Sequence, residues 1–155
     1  MIWIHKSLER GTGIMERVSF NAYGHTNVIG SHKTTLEITT EDFLTRQGTC
    51  IVGVRCDLSL RDIGEQIRHL AKSPDTEIVL RLRVRDMEEE IRGRGSPGLT
   101  YSDPVSMVTR TSSYECGRTV MVRADKAARD LDRSFIEMLR DDETVVTCEL
   151  EYFSE

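Results

Sequence analysis

The amino-acid sequence predicts a mainly β protein of the α+β class, in which duplicated β-β-β-α-β units form a pseudo-two-fold β-sandwich or barrel with two short helices. The first observation behind this prediction is an internal repeat, since residues 50–84 align with residues 118–152 at a shift of 68. The second is apolar periodicity, because each copy contains alternating segments typical of half-buried strands and one segment with helical spacing.

The repeat is specific at the level of single residues. The identical pairs at this shift are Val52/Val120, Val54/Val122, Arg55/Arg123, Asp57/Asp125, Arg61/Arg129, Asp62/Asp130, Thr76/Thr144 and Leu82/Leu150. Further upstream the copies align at a shift of 71, where Gly24, Ser31 and Leu36 match Gly95, Ser102 and Met107. A shorter loop near residues 114–117 of the second copy absorbs the difference between the two shifts.

Three strands are predicted at the start of the first unit. Residues 17–23 alternate, with Val18, Phe20 and Ala22 on one face. Residues 33–39 place Leu36 and Ile38 inward, and residues 49–56 form the third strand. The residues expected on the buried face of that third strand are Cys50, Val52, Val54 and Cys56.

A helix is predicted over residues 63–72, because Ile63, Ile67, Leu70 and Ala71 recur at helical spacing. Asp62 is the expected N-cap, with Glu65 three residues later as in a capping box. The Ser-Pro-Asp sequence at residues 73–75 ends the helix.

The next two strands are predicted to form a hairpin over residues 76–84 and 87–93, with Arg85-Asp86 as the turn. In this register Arg83 lies opposite Glu88, and Arg81 lies opposite Glu90. Opposite charges that face each other across antiparallel strands stabilise the pairing.

The second unit repeats this order, with strands at residues 105–111, 119–124 and 144–153 and a helix over residues 131–140. If the fourth strand pairs with the fifth, the duplication requires the eighth to pair with the first. Arg83 and Glu88 then correspond to Glu151 and Arg17, which predicts a contact between Glu151 and Arg17 that joins the last strand to the first and removes an exposed sheet edge.

The length of 155 residues predicts a single domain over residues 15–155, built of repeats at about 15–85 and 86–155. Residues 1–14 have no counterpart in the second copy. Three interpretations of them stay open: an ordered extension, a flexible tail, or an over-long gene prediction with Met15 as the true start.

Composition narrows the compartment and the partners. A net charge of -5 argues against a general affinity for nucleic-acid phosphates, although it leaves a local basic patch open. No apolar run is long enough to span a membrane, so we expect a cytoplasmic protein. The four cysteines form no Cys-x-x-Cys motif and are expected to be reduced and buried, with a zinc site built from all four as the less favoured alternative.

Several long sequence strings resemble a known family. They are GHTNVIGSHKTTLEIT, LTRQGTCIVGV, GRGSPGLTYSDP and GRTVMVRADKAARDL, and the resemblance covers roughly residues 16–150. These strings resemble the archaeal family called domain of unknown function 371. The resemblance implies a mainly β fold and brings no established activity. One departure is Gly48-Thr49-Cys50, where the family often has Gly-Asp-Cys, so this chain lacks a carboxylate at that position.

The first group of candidate site residues lies in the loop after the first strand. His25, Asn27 and His32 correspond to Ser96, Gly98 and Asp103, so the two copies differ there. His25 and His32 are candidate catalytic residues, and with Asp103 they are candidate ligands of a divalent transition metal such as zinc, nickel or iron; Asn27 is a candidate ligand-binding residue. The alternative is that each imidazole caps a turn or bonds to the loop backbone.

The second group is cationic and lies where a strand of the second unit leads into its helix. Arg118, Arg123 and Lys126 are candidate anion-binding residues, and Asp125 is the carboxylate among them. By alternation Arg118 shares a face with Val120 and Val122, which predicts a buried guanidinium that is paired or functional. The recurrence of Asp125 as Asp57 favours a structural role for that carboxylate.

These groups lead to three hypotheses about function. The first is a small-molecule enzyme or anion-binding protein, in which the histidine loop faces the basic strand-to-helix corner. The second is an RNA-binding module that uses the arginines, against which stand the acidic net charge and the few aromatic residues. The third is a non-catalytic scaffold that binds a partner protein. Oligomeric state and substrate are not readable from the sequence.

Overall fold

A computed structural model describes residues 13–154, which form a sandwich of two four-stranded sheets. The strands are β1 (Ile14–Tyr23), β2 (Thr35–Thr39), β3 (Ile51–Gly53), β4 (Glu77–Val84), β5 (Met87–Arg94), β6 (Ser106–Arg110), β7 (Thr119–Met121) and β8 (Val145–Ser154). The helices are α1 (Glu65–Ala71) and α2 (Arg133–Met138). Residues 1–12, which make up most of the predicted extension, lie outside the described part, and Ile14 is the first residue of β1.

The strand order reveals the internal symmetry. One sheet has the order β1-β8-β4-β5 and the other β3-β2-β6-β7, so each sheet contains the same two elements from both units. The central pairs, β4 with β8 and β2 with β6, are antiparallel, and the pseudo-two-fold axis passes between their strands. The predicted mainly β, duplicated sandwich is confirmed.

The predicted charge pairs are present in the predicted register. Arg83 pairs with Glu88 and Arg81 with Glu90 across β4 and β5. Across β1 and β8, Arg17 lies directly opposite Glu151, and its Nη2 is 2.8 Å from a Glu151 carboxylate oxygen. Arg81 also forms an ion pair with Glu151.

The barrel alternative is wrong, and so is the expectation that the pairing of β8 with β1 removes a sheet edge. β8 lies between β1 and β4, which leaves β1 and β5 as the outer strands of an open sheet. At two symmetric corners the backbones of the two sheets are joined by isolated bridges, between Tyr23 and Val54 and between Arg94 and Val122.

The helices are shorter than predicted, and the expected N-cap is wrong. Asp62 ends a single 3-10 turn, Leu60–Asp62, where its carboxylate accepts hydrogen bonds from the backbone N–H and the hydroxyl of Ser59. These bonds lower the pKa of Asp62. The chain then extends through Ile63, and α1 begins after Gly64 as its N-cap.

The third strand of each unit is also shorter than predicted. β3 has three residues, and Cys50, which precedes it, is half-buried rather than fully buried. Val52, Val54 and Cys56 are buried as predicted. β7 likewise begins at Thr119, so the alternation that placed Arg118 on an apolar face does not extend to Arg118, which is exposed.

The core contains a pair of buried tyrosines among its apolar side chains. The Tyr101 and Tyr152 hydroxyls lie 2.8 Å apart, and Tyr101 donates to the Val120 carbonyl. Because the Tyr101 proton is used in that bond, Tyr152 donates to Tyr101, and both buried hydroxyls are satisfied.

Candidate functional site

The loop of residues 24–29, called the His25 loop below, is fixed against the connection between α2 and β8. Gly24 donates to the Thr144 carbonyl and His25 to the Leu139 carbonyl, both at 2.9 Å. A Cβ on Gly24 would meet the carbonyl oxygens of Leu139 and Asp141, so only glycine permits this approach. Two clefts open on this loop.

The larger one, called the His25 cleft, has a volume of about 560 Å³. Its lining residues are Tyr23, Gly24, His25, Asp42, Val54, Arg55, Asp142 and Glu143. Three carboxylates therefore face one guanidinium and one imidazole. The excess of carboxylates favours a ligand that carries positive charge.

Arg55 forms one wall of the His25 cleft and lies where the third strand of the first unit leads towards its helix. Its backbone has a φ of 52°, in the left-handed region. The guanidinium donates to the Asp142 carbonyl at 2.7 Å and lies 4.1 Å from the centre of the Tyr23 ring. Arg55 is thus held by a carbonyl and an aromatic face, not by a carboxylate side chain.

The His25 imidazole is oriented by its own loop. The Asn27 backbone N–H donates to Nδ1 of His25 at 3.0 Å, and in the neutral ring the proton is therefore on Nε2. In this tautomer His25 offers a hydrogen-bond donor at Nε2. A base or a metal ligand at Nε2 would need the other tautomer, which loses the bond to Asn27.

The second cleft, called the arginine cleft, lies on the other side of the His25 loop and has a volume of about 390 Å³. Its lining residues are Thr26, Asn27, Val28, Ile29, Arg46, Arg133, Ile136, Glu137 and Arg140. The Asn27 side chain is held in place by a 2.7 Å hydrogen bond from Nδ2 to the Leu44 carbonyl.

His32 and Asp103 occupy equivalent turns in the two units and make equivalent bonds. Nδ1 of His32 accepts from the backbone N–H groups of Thr34 and Thr35, both at 3.2 Å. One carboxylate oxygen of Asp103 accepts from the N–H groups of Val105 and Ser106 at 2.7 and 2.8 Å. Neither residue lines the His25 cleft.

The cationic candidates are dispersed around the second unit's corner. Arg118 and Arg123 are exposed, and Arg123 has a φ of 51°, like Arg55. Asp125 accepts the Arg92 N–H at 2.9 Å, just as Asp57 accepts the Asn21 N–H. The Lys126 ammonium pairs with Glu89 at 3.0 Å.

Glu89, the partner of Lys126, is a buried carboxylate. It is 8% exposed, and its carboxylate accepts hydrogen bonds from the Lys126 ammonium and from the Asp132 backbone N–H. The strand-to-helix corner that meets His25 is that of the first unit, because Arg55 lines the same cleft as His25. His32 contacts the second unit through its backbone, because the His32 carbonyl accepts a hydrogen bond from the Arg129 N–H at 3.1 Å.

Several charged residues of the His25 cleft differ between the two copies, whereas Gly24, Val54 and Arg55 are the same in both. Asp42, Asp142 and Glu143 correspond to Ser113, Pro74 and Asp75, and His25 corresponds to Ser96. The Arg55 backbone donates to Glu41 and the Arg123 backbone to Ser112, which fixes this correspondence. The three carboxylates are not among the site residues predicted from the sequence, although Asp42 and Asp142 could have been found by their difference from Ser113 and Pro74.

Three further properties of the described residues bear on the site. All four cysteines are free. Within residues 13–154 no three His, Cys, Asp or Glu side chains are grouped as metal ligands would be. In the same part of the chain, neither helix has the length and apolar character that crossing a membrane requires.

Comparison with known proteins gives a family and one relative. The family model described as "Domain of unknown function (DUF371)" matches residues 20–152. An uncharacterized protein, MJ0206, from the archaeon Methanocaldococcus jannaschii is 38% identical over 125 residues, which are 81% of this chain and 92% of that protein.

Proposed function

We propose that this chain, which belongs to the family of domain of unknown function 371 (DUF371), is a small-molecule-binding protein whose ligand occupies the His25 cleft. The observation that carries the proposal is the cleft itself, about 560 Å³ in volume and lined by His25, Asp42 and Asp142, which correspond to Ser96, Ser113 and Pro74 in the second copy. Clefts of this size suit small organic ligands.

The charges of the cleft support a ligand with a protonated amine. Asp42 and Glu143 are exposed, and their side chains form no hydrogen bond or ion pair with the described residues. Asp142 is partly used, since one of its carboxylate oxygens accepts the Thr26 N–H at 2.8 Å. Two free carboxylates are an arrangement that binds an ammonium group by charge-assisted hydrogen bonds.

In this proposal His25 is a positioning donor for an acceptor group of the ligand. Its bond to Asn27 favours the Nε2–H tautomer, which suits ligand binding better than proton abstraction. Catalysis by His25 and metal binding by His25, His32 and Asp103 remain predictions that this hydrogen bonding does not support. The free cysteines support the further proposal of a cytoplasmic location.

The RNA-binding and scaffold hypotheses also stay predictions. Of the arginines that could bind RNA phosphates, Arg92 pairs with Glu77 and Glu90, which leaves less net positive charge for phosphates. Arg110 donates to the Thr119 hydroxyl.

The test is a titration followed by amide chemical shifts, with putrescine and succinate as probes of equal carbon number and opposite charge. We expect putrescine to shift the signals of His25, Thr26 and Arg55 in a saturable manner and succinate to leave them in place. The double variant Asp42→Asn, Glu143→Gln should lose the putrescine response.

The matched control is Asp75→Asn with Asp86→Asn, which removes the same charge from exposed positions outside the cleft. This control should respond to putrescine like the wild type. Equal responses of the two double variants would show that the diamine is attracted by the overall charge of -5 and would refute the site.

A further inference from the structure

We propose a second binding site, for the phosphate group of a small anion, in the arginine cleft. This inference goes beyond the proposed function, because the two clefts have opposite charge and different side chains. It rests on the cationic side chains that line the arginine cleft and on how each is held.

Three elements that are distant in sequence build this cleft. The His25 loop supplies Thr26 and Asn27, the connection between β2 and β3 supplies Arg46, and α2 with the residue pair after it supplies Arg133 and Arg140. Three guanidinium groups thus line one cleft together with the single carboxylate of Glu137. Such a local excess of positive charge is notable in a chain with a net charge of -5.

Arg133 is the fixed member of the cluster. Its guanidinium donates to the main-chain carbonyls of Gly30, Ala128 and Leu131 at 2.9 to 3.1 Å. Among the described residues, no carboxylate forms an ion pair with it. Carbonyl oxygens satisfy the N–H groups but leave the positive charge without a counter-ion, so an anion in the cleft gains from this charge.

Arg46 and Arg140 are the adjustable members. Arg46 is exposed and forms no ion pair with any carboxylate in the described part of the chain. Arg140 lies 3.6 Å from Glu137, and both side chains are largely exposed, at 45% and 73%. Because exposed pairs of this kind contribute little, Arg140 can exchange Glu137 for an anionic ligand at small cost.

Polar groups of the His25 loop complement the guanidinium groups. The Asn27 amide uses one of its two N–H groups to bond Leu44, which fixes the amide and leaves the other N–H for a ligand. The Thr26 side chain is exposed and lines the same cleft. Neutral donors beside guanidinium groups are a common environment of bound phosphate oxygens.

The pseudo-symmetric surface of the first unit lacks the fixed cation. Arg133 corresponds to Glu65, and Arg140 corresponds to Lys72. The guanidinium held by carbonyls is therefore a property of the second helix alone. Its replacement by a carboxylate in the first helix makes that surface a natural internal control.

The volume of about 390 Å³ exceeds that of a phosphate ion and leaves room for an attached organic part. The ligand chemistry common to the candidates is thus a phosphate, either free or as a small monoester. Guanidinium groups recognise phosphate oxygens in a bidentate manner, which favours phosphate over a spherical anion such as chloride.

The experiment measures binding of inorganic phosphate and of glycerol 3-phosphate to the full chain at physiological ionic strength, by calorimetry and by amide shifts of residues 26–29 and 133–140. We expect saturable binding of at least one of them, with no comparable response to chloride. Tighter binding of glycerol 3-phosphate identifies an ester as the ligand, and equal binding identifies the free ion.

The test variant is Arg46→Gln with Arg140→Gln, because both side chains are exposed and their removal leaves the fold intact. We expect at least a roughly tenfold loss of phosphate affinity. The matched control, Arg61→Gln with Lys72→Gln, removes two exposed cations from the first unit and should bind phosphate like the wild type. Unchanged phosphate affinity in the test variant, or an equal loss in both variants, would overturn the proposal.

The outcome is separable from that of the proposed function. The Asp42→Asn, Glu143→Gln variant should keep its phosphate affinity, and the arginine variant should keep its response to putrescine. A wild-type protein that binds putrescine but no phosphate would remove the second site and leave the first.

Discussion

His25 and His32 each accept main-chain N–H groups through Nδ1, and this determines what their rings can still do. A histidine is chemically versatile because either ring nitrogen can carry the proton. Once the backbone occupies Nδ1 as an acceptor, the neutral ring is a donor at Nε2. The turn-capping interpretation of these residues therefore agrees with the structure, and a site built on them is more suited to recognition than to proton transfer.

Cys116 provides a prediction about reactivity. Partial burial acts to raise its pKa, but hydrogen bonds from the Thr119 side chain and the Arg118 backbone, with the Arg110 guanidinium, hold that pKa below its ordinary value. Burial raises the pKa of Cys50 to about 11, and Glu37 adds to this effect. Limited iodoacetamide treatment at mildly alkaline pH should therefore modify Cys116 first, as peptide mass spectrometry would show.

The control for this prediction is Arg110→Gln, which removes the guanidinium near the Cys116 sulfur at 3.5 Å. The variant should slow the modification of Cys116 and leave the other cysteines unaffected. Faster alkylation of Cys50 than of Cys116 in the wild type would contradict the prediction.

Glu151 provides a prediction about stability. It is 4% exposed and pairs with both Arg17 and Arg81 at the centre of the outer sheet face. Glu151→Gln removes the most buried of the carboxylates that contact Arg17 and Arg81, while Glu149 stays beside both arginines and Glu90 beside Arg81. This change should lower the free energy of unfolding by about 1 to 2 kcal/mol after allowance for solvent screening. Urea denaturation would measure this change.

The comparison variant is Glu88→Gln, the same chemical change in the exposed pair with Arg83 on the same sheet. Its effect should be about 0.5 kcal/mol or less. Equal losses in the two variants would show that burial of Glu151 has no energetic consequence.

The connections between elements follow the repeat, as the elements themselves do. Arg55 and Arg123 both have left-handed φ values, and so do Gly30 and Tyr101, which correspond at the shift of 71. Gly24 and Gly95 pack on equivalent carbonyls, those of residues 139 and 141 and of residues 71 and 73. The corners are thus conserved between the copies, while the side chains placed on them have diverged.

Gly24→Ala is expected to destabilise the His25 loop, because the added Cβ would collide with the carbonyls of Leu139 and Asp141. Overpacking of this kind costs about 1 to 3 kcal/mol, measurable as a shift in the thermal unfolding midpoint. Gly64→Ala is the control, since a Cβ there meets nothing within 4 Å. A Gly24→Ala variant as stable as Gly64→Ala would disprove the packing role of this glycine.

In the whole molecule the two units are interleaved rather than adjacent. The order β1-β8-β4-β5 places β8 of the second unit between two strands of the first, and β2 pairs with β6 in the other sheet. Neither unit has a complete sheet of its own, and the core between the sheets is shared. Folding is therefore expected to be cooperative over the described domain.

This architecture predicts the behaviour of fragments divided at the turn between Arg85 and Asp86. Fragments 1–85 and 86–155 should each lack a cooperative thermal transition by circular dichroism, because each exposes unpaired central strands. Mixed in equal amounts, they should recover the transition of the intact chain. A cooperative transition in either fragment alone would refute the interdependence of the units.

The sequence predicted those features that depend on local pattern and on the repeat. The register of β4 with β5 and the contact between Arg17 and Glu151 followed from charge and symmetry, because opposite charges on paired strands constrain the register directly. The predicted N-cap at Asp62 failed, since the chain there forms a 3-10 turn whose carboxylate bonds back to Ser59. The prediction of a buried Arg118 was also wrong, because Arg118 precedes β7 and is exposed.

The candidate site was predicted only in part. His25 lines the larger of the two clefts beside its loop, and the divergence of the two copies pointed to it. Arg55, Asp42 and Glu143 were not predicted as its neighbours, because contacts between distant loops depend on how the sheets pack and not on local periodicity.

By itself, the sequence determined the duplicated mainly β architecture and the family, because strand alternation, the repeat and the long motif strings are properties of the order of residues. The tertiary structure decided that the sandwich stays open, that His25 meets the corner of its own unit, and that Arg46, Arg133 and Arg140 surround one cleft. The physical reason is that strand order and loop packing are set by the burial of apolar faces across the whole chain, which brings together residues whose spacing in the sequence carries no sign of it.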